Sequence, residues 1–130
     1  KNPPQERGRK RMDAMKMFDR RLDLSVSQKQ NFDSLRQSHF TQIREVQQEI
    51  MQNKRILYRE MKSGVVDQVR VDSLTQELGS LHCQMEKITF HHFREMRGQL
   101  EPLQAEKFDS LLVRIFRKES WGREAHRRPN

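Results

Sequence analysis

The stretch Thr89–Leu112, TFHHFREMRGQLEPLQAEKFDSLL, carries most of the information on fold and chemistry in this chain. Gly98 and Pro102 punctuate it, and proline is favoured in the first turn of a helix, so we predict that one helix ends and another begins here. His92 and Met96 precede that break and lie four residues apart, which places them on the same face of a helix. An imidazole and a thioether on one face could bind a metal ion. A packed, hydrogen-bonded histidine beside a core methionine is the alternative.

Working back from this stretch, apolar residues recur every three or four positions over two long segments, which predicts two long amphipathic helices. The later helix runs from about Asp67 to Gln99, with the stripe Val71, Leu74, Leu78, Leu81, Met85, Ile88, His92, Met96 and Leu100. The earlier one runs from about Ser25 to Lys62, with the stripe Phe32, Leu35, His39, Ile43, Val46, Ile50, Leu57 and Met61. A short turn joins them, so we expect an antiparallel hairpin, with Gly64 in the left-handed conformation that ends many helices.

Shorter helices are predicted on either side of the hairpin, from Arg11 to Leu22 and from Pro102 to Lys118. The chain is therefore expected to be all-α, a four-helix hairpin with two long antiparallel helices. Residues 1–10 form a disordered basic tail, residues 11–118 the helical domain, and residues 119–130 a basic C-terminal tail.

Composition supports thin helical layers rather than a thick core, since hydrophobic residues make up 33% of the chain and charged residues 34%. The net charge of +8 is concentrated in the two tails, while residues 12–116 carry about +1. Basic tails suit solvation or an anionic membrane surface, and we expect no nucleic-acid binding because the basic residues do not follow one folded element.

Soft metal ligands also occur near the N-terminus. Met12 and Met15, with Asp19 close by, could contribute to a metal site, because thioether sulfur suits ions such as Cu(I). Adaptable core packing is the alternative for these methionines. Cys83 is a single thiol off the apolar stripe, and it forms no metal or redox motif. No nucleophile–base set, carboxylate pair or phosphate-binding loop is evident, so we do not expect an enzyme.

An internal repeat marks the two helix starts. LSVSQKQNFDSL at Leu24–Leu35 aligns without gaps with LEPLQAEKFDSL at Leu100–Leu111. Ser25 and Gln28 match the pattern in which a hydroxyl and an amide three residues later cap a helix N-terminus. In the second copy Gln104 repeats the role of Gln28, and Pro102 suits the first turn of the helix, so both are counted as capping residues. The repeat predicts two equivalent structural corners.

Leu24-Ser-Val-Ser-Gln28 and Leu100-Glu-Pro-Leu-Gln104 resemble the two LTxxQ motifs of the Spy/CpxP-like periplasmic superfamily. The segment Ile88–Arg97, ITFHHFREMR, is similar to the heavy-metal resistance branch that includes CnrX-like metal sensors. The resemblance implies an interlocked dimer in the periplasm, often anchored to the inner membrane by an N-terminal segment. It places metal ligands at His92 and Met96. The histidines that the sensors carry on the first helix are absent here, and a glutamate ligand falls on Gln37.

Three functions follow as hypotheses. The first is a periplasmic sensor that binds Cu, Ni, Co or Zn and signals metal stress through a membrane-bound partner. The second is an ATP-independent chaperone or stress adaptor that holds unfolded client proteins without a metal. The third is a coiled-coil interaction module without a ligand, in which His92 is merely packed.

Overall fold

In the computed structural model, the backbone of residues 17–127 and the side chains of residues 17–117 are described. Four helices account for the regular structure of that part of the chain: α1 (Met17–Arg21), α2 (Val26–Met61), α3 (Gln68–Gly98) and α4 (Pro102–Arg127). No strand occurs among the described residues, so the predicted all-α class and the two long helices are confirmed. None of these helices is both long and apolar enough to cross a membrane.

Contacts divide the chain into two compact units. Residues Asp33–Glu95 form one, here called the hairpin unit, and Lys1–Phe32 with Met96–Asn130 form the other, called the corner unit. The long helices α2 and α3 contribute to both.

In the hairpin unit, α2 and α3 run antiparallel and pack along one stripe. Val46, Ile50 and Leu81 form its buried cluster. Leu78, Met85 and Ile88 pack against the cluster and are partly buried. Each helix of a pair can bury only the stripe that faces its partner, and its other faces remain open. The core is therefore thin, as the composition indicates.

The turn of the hairpin differs from the prediction for Gly64. No described glycine has a positive φ, and Asp23 is the described residue that does, with a φ of 53°. Helix α2 ends instead by tightening, since the amides of Lys62 and Ser63 donate to the carbonyls of Arg59 and Glu60 at 3.1 and 3.2 Å. These bonds span three residues and satisfy the last carbonyls without a left-handed residue.

The corner unit is built around aromatic packing. Phe18 of α1 and Phe108 of α4 are both fully buried, with ring centroids 5.1 Å apart. Leu22 is also buried beneath the turn that joins α1 to α2. Arg97 and Asp109 add a two-pronged ion pair at 2.9 and 3.0 Å, which joins α3 to α4 within this unit.

The two copies of the repeat meet in the corner unit. Gln28 caps its own helix together with Ser25. The side-chain Oε1 of Gln28 accepts a hydrogen bond from the Ser25 backbone amide at 2.9 Å, and the backbone amide of Gln28 donates to the Ser25 hydroxyl at 3.1 Å. Gln104 Oε1 accepts from the Glu101 amide at 3.0 Å, and α4 begins at Pro102. The two glutamine side chains also bond each other at 2.8 and 3.2 Å. The repeat thus encodes two helix starts that pair through their glutamines.

Some apolar residues are exposed. Met61, on the predicted stripe of α2, is 76% exposed, and Leu103 and Phe116 of α4 are 75% and 52% exposed. Helix α4 also continues past the predicted end near Lys118 to Arg127. No proline occurs between Pro102 and Pro129 to stop it.

Candidate functional site

His92 lies on the buried face of α3 in the hairpin unit and is 6% exposed. It stacks on His39 of α2, with ring centroids 4.1 Å apart and ring planes at 12°. The pairing follows from the register that packs Ile50 near Leu81. In two antiparallel helices, residues lie opposite each other when their residue numbers add up to the same total, as they do for both of these pairs. Two imidazoles from distant parts of the sequence therefore share one site.

The imidazole pair has few polar neighbours. His39 Nε2 lies 3.4 Å from the Thr89 hydroxyl, a long hydrogen bond. The Phe93 ring lies beside His92 with centroids 5.3 Å apart. Arg36, one helical turn before His39, is buried at 3% exposure and donates to Asp33 at 2.6 Å. The site is thus largely apolar and carries one buried guanidinium.

This environment keeps His92 neutral. Burial, together with the smaller effects of nearby His39 and Arg36, lowers the pKa of His92 from 6.5 to about 3. Loss of hydration penalises the imidazolium, and each neighbouring positive charge adds repulsion. Neutral imidazole is the form that binds metal ions, so no proton competes for His92 at neutral pH.

One nitrogen of His92 is unsatisfied. Its Nε2 is buried and makes no hydrogen bond to any described residue. Buried polar atoms are usually paired, so an exception is a candidate for a missing ligand. Nε2 is a strong donor to metal ions, and it can equally take a hydrogen bond from a bound molecule.

The described residues do not complete a metal site around that atom. Residues 17–117 contain no group of three His, Cys, Asp or Glu side chains able to hold a metal ion. The near-parallel stacking of His39 and His92 also keeps their in-plane lone pairs from converging on one point. His39 would have to rotate before both rings could bind one ion.

The other predicted ligands have different positions. Met96 is fully buried and belongs to the corner unit, as does Asp19, which is half-buried in α1. Met12 and Met15 lie outside the described residues. Gln37 is exposed on α2, and Cys83 is an exposed free thiol.

The close stacking of His39 on His92 and the burial of Arg36 are features that sequence reasoning missed. His39 was assigned to the apolar stripe, but its partner was not identified. Pairing residues whose numbers sum to about 131, as Ile50 and Leu81 do, would have found it. Arg36 gave no signal, because arginine at a helical position normally indicates a solvated face.

Residues 1–118 match the family model described as heavy-metal resistance. This match confirms the resemblance to the heavy-metal resistance branch of the Spy/CpxP-like superfamily. No curated protein and no solved structure shows significant similarity to the chain.

Proposed function

The chain belongs to the heavy-metal resistance family, and from that premise we propose that it is a periplasmic metal-responsive protein that binds its ion through His92. The observation that carries the proposal is the buried, neutral and unsatisfied Nε2 of His92. We propose binding and signalling rather than catalysis, with a membrane-bound protein as the receiver of the signal.

We propose His39 of the same unit as the second imidazole. Further ligands would come from a second copy of the chain. Imidazole ligands suit Cu, Ni and Zn ions. Arg36 lies close enough to repel positive charge at His92, and a monovalent ion suffers about half the repulsion of a divalent one. Cu(I) is therefore the first ion to test, before Ni, Co or Zn.

The test is a competition titration of Cu(I) between the protein and a chromophoric chelator under anaerobic conditions. We expect His92→Ala to weaken Cu(I) binding at least about tenfold, as loss of one strong ligand does. His91→Ala is the matched control, because His91 adjoins His92 but is exposed. Equal affinity in the wild type and in His92→Ala would refute the proposal.

Client binding is the second candidate function, and it has its own observation. In the corner unit, Val26, Leu103, Val113 and Phe116 are all at least half exposed. Adaptable exposed apolar side chains can hold varied unfolded clients. An aggregation assay with a reduced, unfolding client separates the two functions. A chaperone suppresses aggregation without metal, whereas a sensor leaves it unchanged.

A further inference from the structure

The end of the hairpin unit presents apolar side chains to solvent. We call residues 54–70 the hairpin tip; it contains the last turns of α2, the connecting turn and the first turn of α3. Four of its apolar side chains are highly exposed: Met61 76%, Val65 85%, Val66 52% and Val69 80%. All four lie between residues 61 and 69, so they are grouped at the tip rather than scattered along the unit. Such patches mark interaction sites on soluble proteins.

Hydrogen bonds inside the turn hold this exposure in place. The Asp67 amide donates to Glu60 Oε1 at 3.1 Å, and the Ser63 hydroxyl donates to the Val65 carbonyl at 2.7 Å. Asp67 in turn caps α3 by accepting from the Arg70 amide at 3.2 Å. The polar groups of the turn are therefore directed to one another, while its valines face outward.

Charge is also distributed unevenly along the hairpin unit. The whole unit, Asp33–Glu95, has nine basic and nine acidic residues, so its formal net charge is zero. The tip has five basic residues, Lys54, Arg55, Arg59, Lys62 and Arg70, against Glu60 and Asp67, and so carries +3. The remainder of the unit carries −3. Both acidic residues of the tip are engaged in the turn, whereas most of its basic residues are exposed.

From exposed valines flanked by basic residues at the apex of a helical hairpin, we propose that the hairpin tip docks on an anionic lipid bilayer surface. The apolar side chains enter the boundary between headgroups and acyl chains, and the lysine and arginine residues contact the lipid phosphates. Tyr58, half exposed one turn before the apex, is an aromatic of the kind that favours this boundary. The negative remainder of the unit would be repelled by the same surface, which orients the hairpin tip-first. This inference is independent of metal binding.

The basic residues near both ends of the chain are also attracted to anionic lipid, so the test must report on the tip itself. Cys83 supplies a native control, because it is exposed on α3 roughly 20 Å from the tip at 1.5 Å of helix rise per residue. An environment-sensitive fluorophore is attached at Cys83 in the wild type, or at position 65 in the double variant Val65→Cys, Cys83→Ser. Both labelled proteins are titrated with phosphatidylcholine vesicles that contain, or lack, phosphatidylglycerol.

We expect the emission of the label at position 65 to shift to the blue and to rise about twofold or more with phosphatidylglycerol vesicles, as burial in the boundary region requires. The label at Cys83 should stay unchanged. The proposal is overturned if position 65 does not respond, if both labels respond alike, or if vesicles without phosphatidylglycerol act equally. If the label at position 65 responds without vesicles and the response grows with protein concentration, the tip self-associates and the proposal is overturned. If the label responds to an unfolded client protein but not to vesicles, the tip binds clients and the proposal is likewise overturned.

A charge variant gives a second measurement. Arg59→Gln with Lys62→Gln should weaken binding to phosphatidylglycerol vesicles about 30-fold, or about fivefold per charge. The matched control, Arg44→Gln with Lys87→Gln, removes two exposed positive charges of the same unit outside the tip. Equal weakening by the two double variants would show general electrostatic attraction and contradict docking by the tip.

Discussion

Replacing Gln104 by alanine should strongly destabilise the corner unit. The Gln104 side chain accepts from the Glu101 amide at 3.0 Å, donates to the Leu22 carbonyl at 3.1 Å and bonds the Gln28 amide at 2.8 and 3.2 Å. A fifth contact, to the Asp23 carbonyl at 3.4 Å, is too long to count for much. One side chain thus connects the start of α4 to the α1–α2 turn and to the first repeat.

The magnitude follows from these bonds. A hydrogen bond contributes about 0.5–1.5 kcal/mol net, so four of them would sum to about 4 kcal/mol. Gln104 is half-buried, and water can replace part of what alanine removes. We therefore expect Gln104→Ala to lower the free energy of unfolding by about 2–3 kcal/mol. Urea unfolding followed by far-UV circular dichroism measures this change.

Gln42→Ala is the control, because Gln42 is exposed and its side-chain amide makes only a marginal contact of 3.5 Å with the Ser38 hydroxyl. It should change the free energy of unfolding by less than about 0.5 kcal/mol. A double-mutant cycle with Gln28→Ala should give a coupling energy of about 1 kcal/mol or more. A loss below about 0.5 kcal/mol in Gln104→Ala, or additivity in the cycle, would refute the role assigned to the glutamine pair.

Three further predictions concern stability. Folding lowers the pKa of His92 to about 3, so as the pH falls the unfolded chain takes up a proton on this imidazole before the folded chain does. The contribution of His92 to the free energy of unfolding should therefore be complete above pH 6.5. It should fall by up to about 1.4 kcal/mol per pH unit as the pH drops from 6.5 towards 3. Urea unfolding at several pH values should show a shallower fall in His92→Leu, and an identical slope would contradict the assignment. Phe108→Ala should cost about 3–5 kcal/mol, because the ring is fully buried, whereas Phe116→Ala, at a half-exposed ring on the same helix, should cost far less in the same assay. Gly79→Ala should raise stability by about 1 kcal/mol, because Gly79 lies inside α3 with no atom near the added methyl group; a loss of stability would mean that another chain approaches there.

Much of the helical architecture could be predicted, because hydrophobic periodicity and capping residues act locally. The ends of α2 and α3 lie within a residue or two of those expected from Ser25, Lys62 and Gln99. The exposure of Met61 could not be predicted in this way. Its spacing fits the stripe, but exposure depends on whether a second helix lies opposite, and periodicity within one helix does not contain that information.

The candidate site was predictable only in part for the same reason. The placement of His92 on the apolar face of its helix predicted its burial. Its partner across the hairpin depends on the register of two helices, which local patterns do not define. The burial of Arg36 next to two imidazoles opposes simple electrostatic expectation, although Asp33, three residues before it in the same helix, accepts a hydrogen bond from its guanidinium. Such a cost at a site is typical of function rather than of stability.

The thinness of the hairpin core leads to a prediction about assembly. Beyond its small buried cluster, many apolar side chains of the hairpin unit are only half-buried: Leu35, Phe40, Ile56, Leu57, Val71 and Leu74. A pair of helices cannot cover these residues further, whereas a second copy packed along the hairpin can, so we propose the homodimer that the family resemblance implies.

If dimerisation supplies this cover, the melting temperature of the protein should rise with protein concentration, because association stabilises the folded state by mass action. Leu57→Ser, at a half-buried position, should lower the fraction of dimer in analytical ultracentrifugation, whereas Met51→Ser, at an exposed position on the same helix, serves as the control. A melting temperature independent of concentration, together with a monomeric mass at all concentrations, would mean that the hairpin is stable with its apolar flank open to water.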